Sequence, residues 1–107
     1  MPNTTRIEQL QQMLAEDPKD AFLRYALAME HVAAGDLPSA VGQLETLVAD
    51  TPDYVPAYQQ RGQLLIQLGR NAEARPVLEQ GLAAARKSGD QHAAEEIQGL
   101  LMNLGEV

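Results

Sequence analysis

The chain has no cysteine among its 107 residues, which excludes a disulfide framework and any thiolate metal site. Aromatics are nearly as scarce: Phe22, Tyr25, Tyr54 and Tyr58 are the only ones. Alanine and leucine must therefore do most of the packing, which suits closely approaching helices. No apolar run approaches the ~18 residues of a membrane span, and no segment resembles the apolar region of a secretory signal. These absences predict a cytoplasmic protein with no membrane partner. Positive charge is short as well: 8 Lys and Arg stand against 15 Asp and Glu, a net charge of −7. Such a balance repels phosphate backbones and anionic lipids, so nucleic acid is not expected as a partner. The one adjacent basic pair, Arg86-Lys87, falls where a helix should end, and cations there favour the macrodipole.

Catalytic signatures are missing too. The sequence has no glycine-rich phosphate loop, no His-Glu-x-x-His and no Gly-x-Ser-x-Gly. His31 has no serine, cysteine or second histidine placed to use it as a base. It reads as a core filler whose ring finds a hydrogen bond. His92 with Glu95 and Glu96 puts three side chains near one helix face, a spacing that could ligate a metal. Structural metal sites need about four ligands, and carboxylates near a helix start already favour the dipole, so that reading is preferred. No catalytic residue, metal or cofactor is expected, and the chain is not expected to be an enzyme.

What is present is periodicity. Pro18 and Pro52 lie 34 residues apart, and the segments around them run in register. Leu10, Leu44 and Leu78 recur at that spacing, as do Leu14, Val48 and Leu82, and Ala15, Ala49 and Ala83. Ala28 aligns with Gly62, Gly35 with Gly69, and Ala40 with Ala74. A fixed period of this length marks a stacked array, in which each unit buries its apolar face only against its neighbours.

The local signals are all helical. Residues 5–16 form a first helix, with Thr5 and Glu8 as a capping-box pair and Asp17-Pro18 as its stop. Asp20 caps a helix over 21–34 that Gly35 closes. Pro38 opens one over 38–50, and Thr51-Pro52 ends it. Asp53 caps a helix over 54–68, closed by Gly69. Asn71 opens the next, which runs to Lys87 and must absorb Pro76. Ser88-Gly89-Asp90 is a stop and a new cap for a last helix over 91–104, with Ile97, Leu100, Leu101 and Leu104 on one stripe. Turns this short force consecutive helices antiparallel. The mid-helix glycines Gly62 and Gly81 are single and lack a neighbouring Lys-Ser/Thr, so they are read as packing positions, not as a hinge or phosphate loop.

The residues inside the period resemble the tetratricopeptide repeat, whose pattern is a Trp, a Leu-Gly and a Tyr in the first helix, an Ala and a Phe in the second, and a closing Pro. The first full repeat holds Arg24, Leu27-Ala28, His31, Ala40, Leu44 and Pro52 in these slots. The second holds Tyr58, Arg61-Gly62, Leu65, Ala74, Leu78 and Arg86. The small-residue and leucine slots fit, while Arg24, His31, Arg61 and Arg86 depart from the pattern. The fold class is therefore an all-α, superhelical array of about six helices in antiparallel pairs. One domain spans 1–107: an opening half-repeat helix at 5–16, repeats at 21–52 and 54–87, and a C-terminal capping helix at 91–104.

The resemblance implies a function. In this family the first helix of each repeat lines a concave face on which ligand peptides lie. The expected groove is Phe22, Tyr25, Met29 and Ala33 from the first repeat, with Pro56, Gln59, Gln63 and Gln67 from the second. The last helix is expected to form a third wall. One line is apolar and aromatic, and the other offers amide donors and acceptors. An open face with a methionine and two aromatics needs cover, from a protein or peptide ligand, from a second copy in a homodimer, or from the chain's own packing. Some members grip acidic C-terminal tails of chaperones with a clamp of Lys, Asn and Arg. Here Tyr25 and Met29 stand where that clamp needs Lys and Asn, and Gln60 stands where the second repeat would supply Asn, so that function is not carried over. The reading is a non-enzymatic adaptor that binds protein or peptide segments. The alternative is a structural module whose apolar groove or terminal helix mediates homodimerisation.

Overall fold

A computed structural model describes the backbone of residues 2–104 and the side chains of residues 5–104. Among them are six α-helices and no strand: α1 (Pro2–Glu16), α2 (Ala21–Ala33), α3 (Leu37–Asp50), α4 (Val55–Gln67), α5 (Asn71–Ser88) and α6 (Gln91–Leu104). Each helix packs on the next in chain order, and α6 also reaches α4. The result is an elongated array with principal extents of 42 × 29 × 20 Å.

Polar caps and glycine stops set these helices. Asp20 accepts the Leu23 N–H at 2.9 Å at the start of α2, and Asp90 accepts the Ala93 N–H at 3.1 Å at the start of α6. At the start of α3, Asp36 accepts both the Ser39 N–H at 3.3 Å and the Ser39 hydroxyl at 2.7 Å. Gly35, Gly69 and Gly89 take φ of 85°, 76° and 77°, a left-handed turn that glycine enters without steric penalty. That turn lets the next residue's N–H reach back into the finished helix, as Arg70 does to the Leu65 carbonyl at 2.8 Å.

Two expected caps are corrected. α1 begins at Pro2, so Thr5 and Glu8 lie within the helix and not across its cap. Proline suits a first turn, because its fixed φ is already helical and its missing N–H has no partner there anyway. α4 is capped by Tyr54 with no side-chain hydrogen bond, and Asp53 does not serve. Pro56 in the first turn removes one of the donors a cap would satisfy, and the Ala57 N–H bonds the Tyr54 carbonyl at 3.2 Å. α5 continues through Pro76, which has no N–H to give the Ala72 carbonyl.

The core follows the register. Leu44, Leu47, Leu65, Leu78 and Ile97 are fully buried. The small-residue slots explain how α4 and α5 come so close. Ala28, Ala40 and Ala74 are wholly inaccessible, and Gly62 is buried beside Leu78. A Cβ added to Gly62 would stand 2.6 Å from Leu78 Cγ and overlap its Cδ2. One added to Gly81 would stand 2.6 Å from Tyr58 Cβ. Two of the arginines that depart from the repeat pattern have partners: Arg24 pairs with Asp50 at 2.9 Å and Arg61 with Glu45 at 3.6 Å, tying α2 and α4 to α3.

Candidate functional site

The first helix of each pair, α2 and α4, and the last helix α6 share one face of the array. Between them lies an open groove of about 310 Å³. Tyr25 comes from α2, Val55, Pro56, Gln59 and Gln60 from α4, and His92, Ala93 and Glu96 from α6, with Asp90 at the mouth. Three of the eight expected residues therefore meet here: Tyr25, Pro56 and Gln59.

The other five sit elsewhere. Phe22 is 68% exposed, one turn from Tyr25, and does not line the groove. Met29 is half-buried and packs on the main core cluster, so its side chain is part of the fold. Ala33 and Gln67 are exposed at the far ends of their helices, and Gln63 is half-buried. None of these lines the groove.

Three of the groove's polar side chains are linked to one another. The Gln59 amide donates to Glu96 Oε1 at 3.3 Å, joining α4 to α6. His92 Nε2 lies 3.5 Å from Glu96 Oε2. Glu95, which the sequence grouped with these two, faces a different surface alongside Arg86 and Gln98. Among the described residues no group of three His, Cys, Asp or Glu is placed to hold a metal ion. The lining residues include two carboxylates, Asp90 and Glu96, and no Lys or Arg. A ligand in this groove meets negative charge.

Tyr25 anchors the wall. Its ring lies 5.7 Å from that of Tyr54 at an interplanar angle of 53°, a tilted pairing that aromatic quadrupoles favour. Burial, and then the neighbouring Tyr54, push the Tyr25 phenol above its ordinary pKa. Burial, and then Asp20, do the same to Tyr54. Tyr25 therefore presents a neutral hydroxyl at physiological pH, a donor and an acceptor at once. His31 stands apart: half-buried near the end of α2, it donates from Nδ1 to the Leu27 carbonyl at 3.1 Å.

Sequence reasoning did not assign Gln60, His92 and Glu96 to a peptide-binding groove. The histidine and glutamate carried a signal, since their i, i+4 spacing puts them on one face of α6. Nothing in that spacing says which way the face points.

No helix of the described residues is long and apolar enough to cross a membrane. A family model for the tetratricopeptide repeat matches residues 7–60 and again 31–96. A TPR repeat-containing protein of Pseudomonas aeruginosa is 36% identical over 98 residues, covering 92% of this chain and 93% of its own. The solution structure of a tetratricopeptide repeat domain protein from Salinibacter ruber superposes with a TM-score of 0.78 at 36% identity, covering 82% of this chain and 89% of that one. The TPR2B domain of yeast Sti1, solved as a complex with Hsp70, shares the fold at a TM-score of 0.87 and 18% identity, covering 96% of this chain and 82% of that one. The match along the sequence and the stacked helix pairs agree: this chain belongs to the tetratricopeptide repeat family, a family of protein–protein interaction modules.

Proposed function

We propose that this chain is a non-enzymatic adaptor that holds an extended protein or peptide segment in the groove between α2, α4 and α6. One observation carries the reading: Tyr25, Pro56 and Gln59, expected from the sequence to face a ligand, converge with His92 and Glu96 on a single open groove. Tyr25 and Pro56 offer apolar surface to a side chain. Gln59 and Gln60 offer donors and acceptors to a peptide backbone. With Asp90 and Glu96 at its edge and no Lys or Arg in its lining, the groove suits a segment that carries a Lys or Arg better than one ending in acidic residues.

The test is a peptide library selected on the wild-type protein, followed by calorimetric titration of the enriched peptides. Gln59→Ala and Tyr25→Ala should each weaken binding, and enriched sequences should carry a basic residue. Peptides that bind both variants as tightly as wild type would place the site elsewhere.

The competing occupant is a second copy of the chain, a reading favoured by the exposed ring of Phe22. Sedimentation at several concentrations separates the two. A dimer that Phe22→Ser converts to monomer would favour self-association, and a monomer at all concentrations would leave the groove to a different protein.

A further inference from the structure

The register offers an internal comparison between the two repeats. In the second, Tyr58 is 7% exposed, and its ring belongs to one buried cluster with Val48 and Val77. Its hydroxyl donates to the Pro52 carbonyl at 2.7 Å. One period earlier the same places hold Leu14 for Val48, Pro18 for Pro52, Arg24 for Tyr58 and Gln43 for Val77. Arg24 supplies no ring there, and its side chain is one wall of the space that remains. Its guanidinium pairs with Asp50 at 2.9 Å. Beside it a pocket of about 280 Å³ lies between α1, α2 and α3, lined by Leu14, Pro18, Arg24, Leu27, Gln43 and Thr46. It shares no residue with the groove.

The pocket is chemically uneven in a useful way. Leu14, Pro18 and Leu27 make apolar walls. The Arg24 guanidinium flanks them, and a planar cation of this kind stacks well on an aromatic face. Gln43 Oε1 is buried with no hydrogen-bond partner among the described residues. That oxygen is closed off from the pocket's open space, so Gln43 contributes shape to the wall and not an acceptor. The second repeat shows what these positions accommodate: a phenol ring with its hydroxyl bonded to a proline carbonyl.

We infer that this pocket receives a tyrosine side chain from a partner protein, which completes the first repeat in trans as Tyr58 completes the second in cis. The ring packs on Leu14, Pro18 and Leu27 under the Arg24 guanidinium. The phenol hydroxyl donates to the Pro18 carbonyl, as that of Tyr58 does to the Pro52 carbonyl. The pocket is thus a second binding site, independent of whether the groove binds a peptide.

The test uses side-chain analogues and nuclear magnetic resonance of the isotope-labelled full chain. p-Cresol should give saturable shifts centred on Leu14, Leu27 and Gln43. Toluene, which lacks the hydroxyl, should bind several-fold more weakly. N-acetyl-tyrosinamide should shift the same residues, because a side chain attached to a backbone must be able to enter. Arg24→Tyr should fill the pocket from within and abolish binding of all three. Shifts that do not saturate, or that scatter over the surface, would overturn the assignment. So would undiminished binding to a folded Arg24→Tyr protein. Binding of p-cresol without N-acetyl-tyrosinamide would overturn the assignment to a protein side chain.

Discussion

Replacing Gly62 by alanine should destabilise this protein, although alanine is the better helix former. An exposed mid-helix glycine gains about 1 kcal/mol on this change. At Gly62 the new Cβ would stand 2.6 Å from Leu78 Cγ and overlap Cδ2. The branch point of a leucine cannot swing aside as a chain end can, and Leu78 is fully buried. α4 and α5 must therefore separate, and forcing extra volume into a packed core costs about 1–3 kcal/mol. The net effect of Gly62→Ala is a loss of up to about 2 kcal/mol, and Gly62→Leu should lose more. The sharper test is a reversal of sign. Leu78→Ala alone should lose about 2–5 kcal/mol. In that background the overlap is gone, so Gly62→Ala should now stabilise by about 1 kcal/mol through propensity alone. Urea unfolding followed by far-ultraviolet circular dichroism measures all four proteins, with an unchanged slope taken as the sign that only stability has moved. If Gly62→Ala were as stabilising in the wild type as in the Leu78→Ala protein, the two residues would not be coupled and the close approach of α4 and α5 would be wrong.

Four further outcomes are expected. Leu44→Ala, at a fully buried position, should lose about 2–5 kcal/mol by the same denaturation assay, and a change within surface scatter would refute its place in the core. The Asp36 carboxylate is held below its ordinary pKa by the Ser39 hydroxyl, then by the Ser39 N–H, with His31 nearby. Its folded value is thus below its unfolded one, so its contribution to stability is present above about pH 4 and fades as pH falls through the folded value; Asp36→Asn should flatten that part of an acid titration. Acidic C-terminal peptides and nucleic acid should bind no more tightly than millimolar at physiological salt, because neither finds a cationic groove, and micromolar binding by fluorescence anisotropy would contradict this. Amides of residues 96–102 should exchange as slowly as those of residues 60–66, since Ile97 is fully buried against α5; exchange there near the unfolded rate, with the repeats still protected, would show α6 to be detached.

The packing of this chain was legible because packing leaves few choices. A glycine at Gly62 and alanines at Ala28, Ala40 and Ala74 recur at the period only if two helices touch there, and the structure buries all four. Pro18, Pro52, Gly35 and Gly69 place the turns for equally local reasons. Caps were less legible. Thr5 and Asp53 have the right chemistry, but in each case a proline lets the helix start at a different residue. Surface residues obey no such constraint, and only three of the eight residues expected in the groove line the one described here. Tyr25, Pro56 and Gln59 line it, whereas Met29 packs on the core and Phe22 lies outside.

The last helix was expected as a third wall, but which of its residues face the groove was hidden for a specific reason. α3 has 14 residues and α5 has 18, so α6 begins at Gln91, 36 residues after Val55 opens α4, and the 34-residue register no longer says which of its residues face the groove. Two residues of slippage turn a helix by about 200°, enough to exchange its faces. His92 and Glu96 could be recognised as one face from their spacing, but only the packing of α6 on α5, with Ile97 buried between them, turns that face toward Tyr25 and Gln59. The same register that fails at α6 holds between the first and second repeats. There it sets Arg24 against Tyr58, so a departure from the family pattern coincides with a feature: a pocket of about 280 Å³ where the neighbouring repeat holds a ring. Deviations from a repeat carry functional information of this kind only where the repeat itself stays in step.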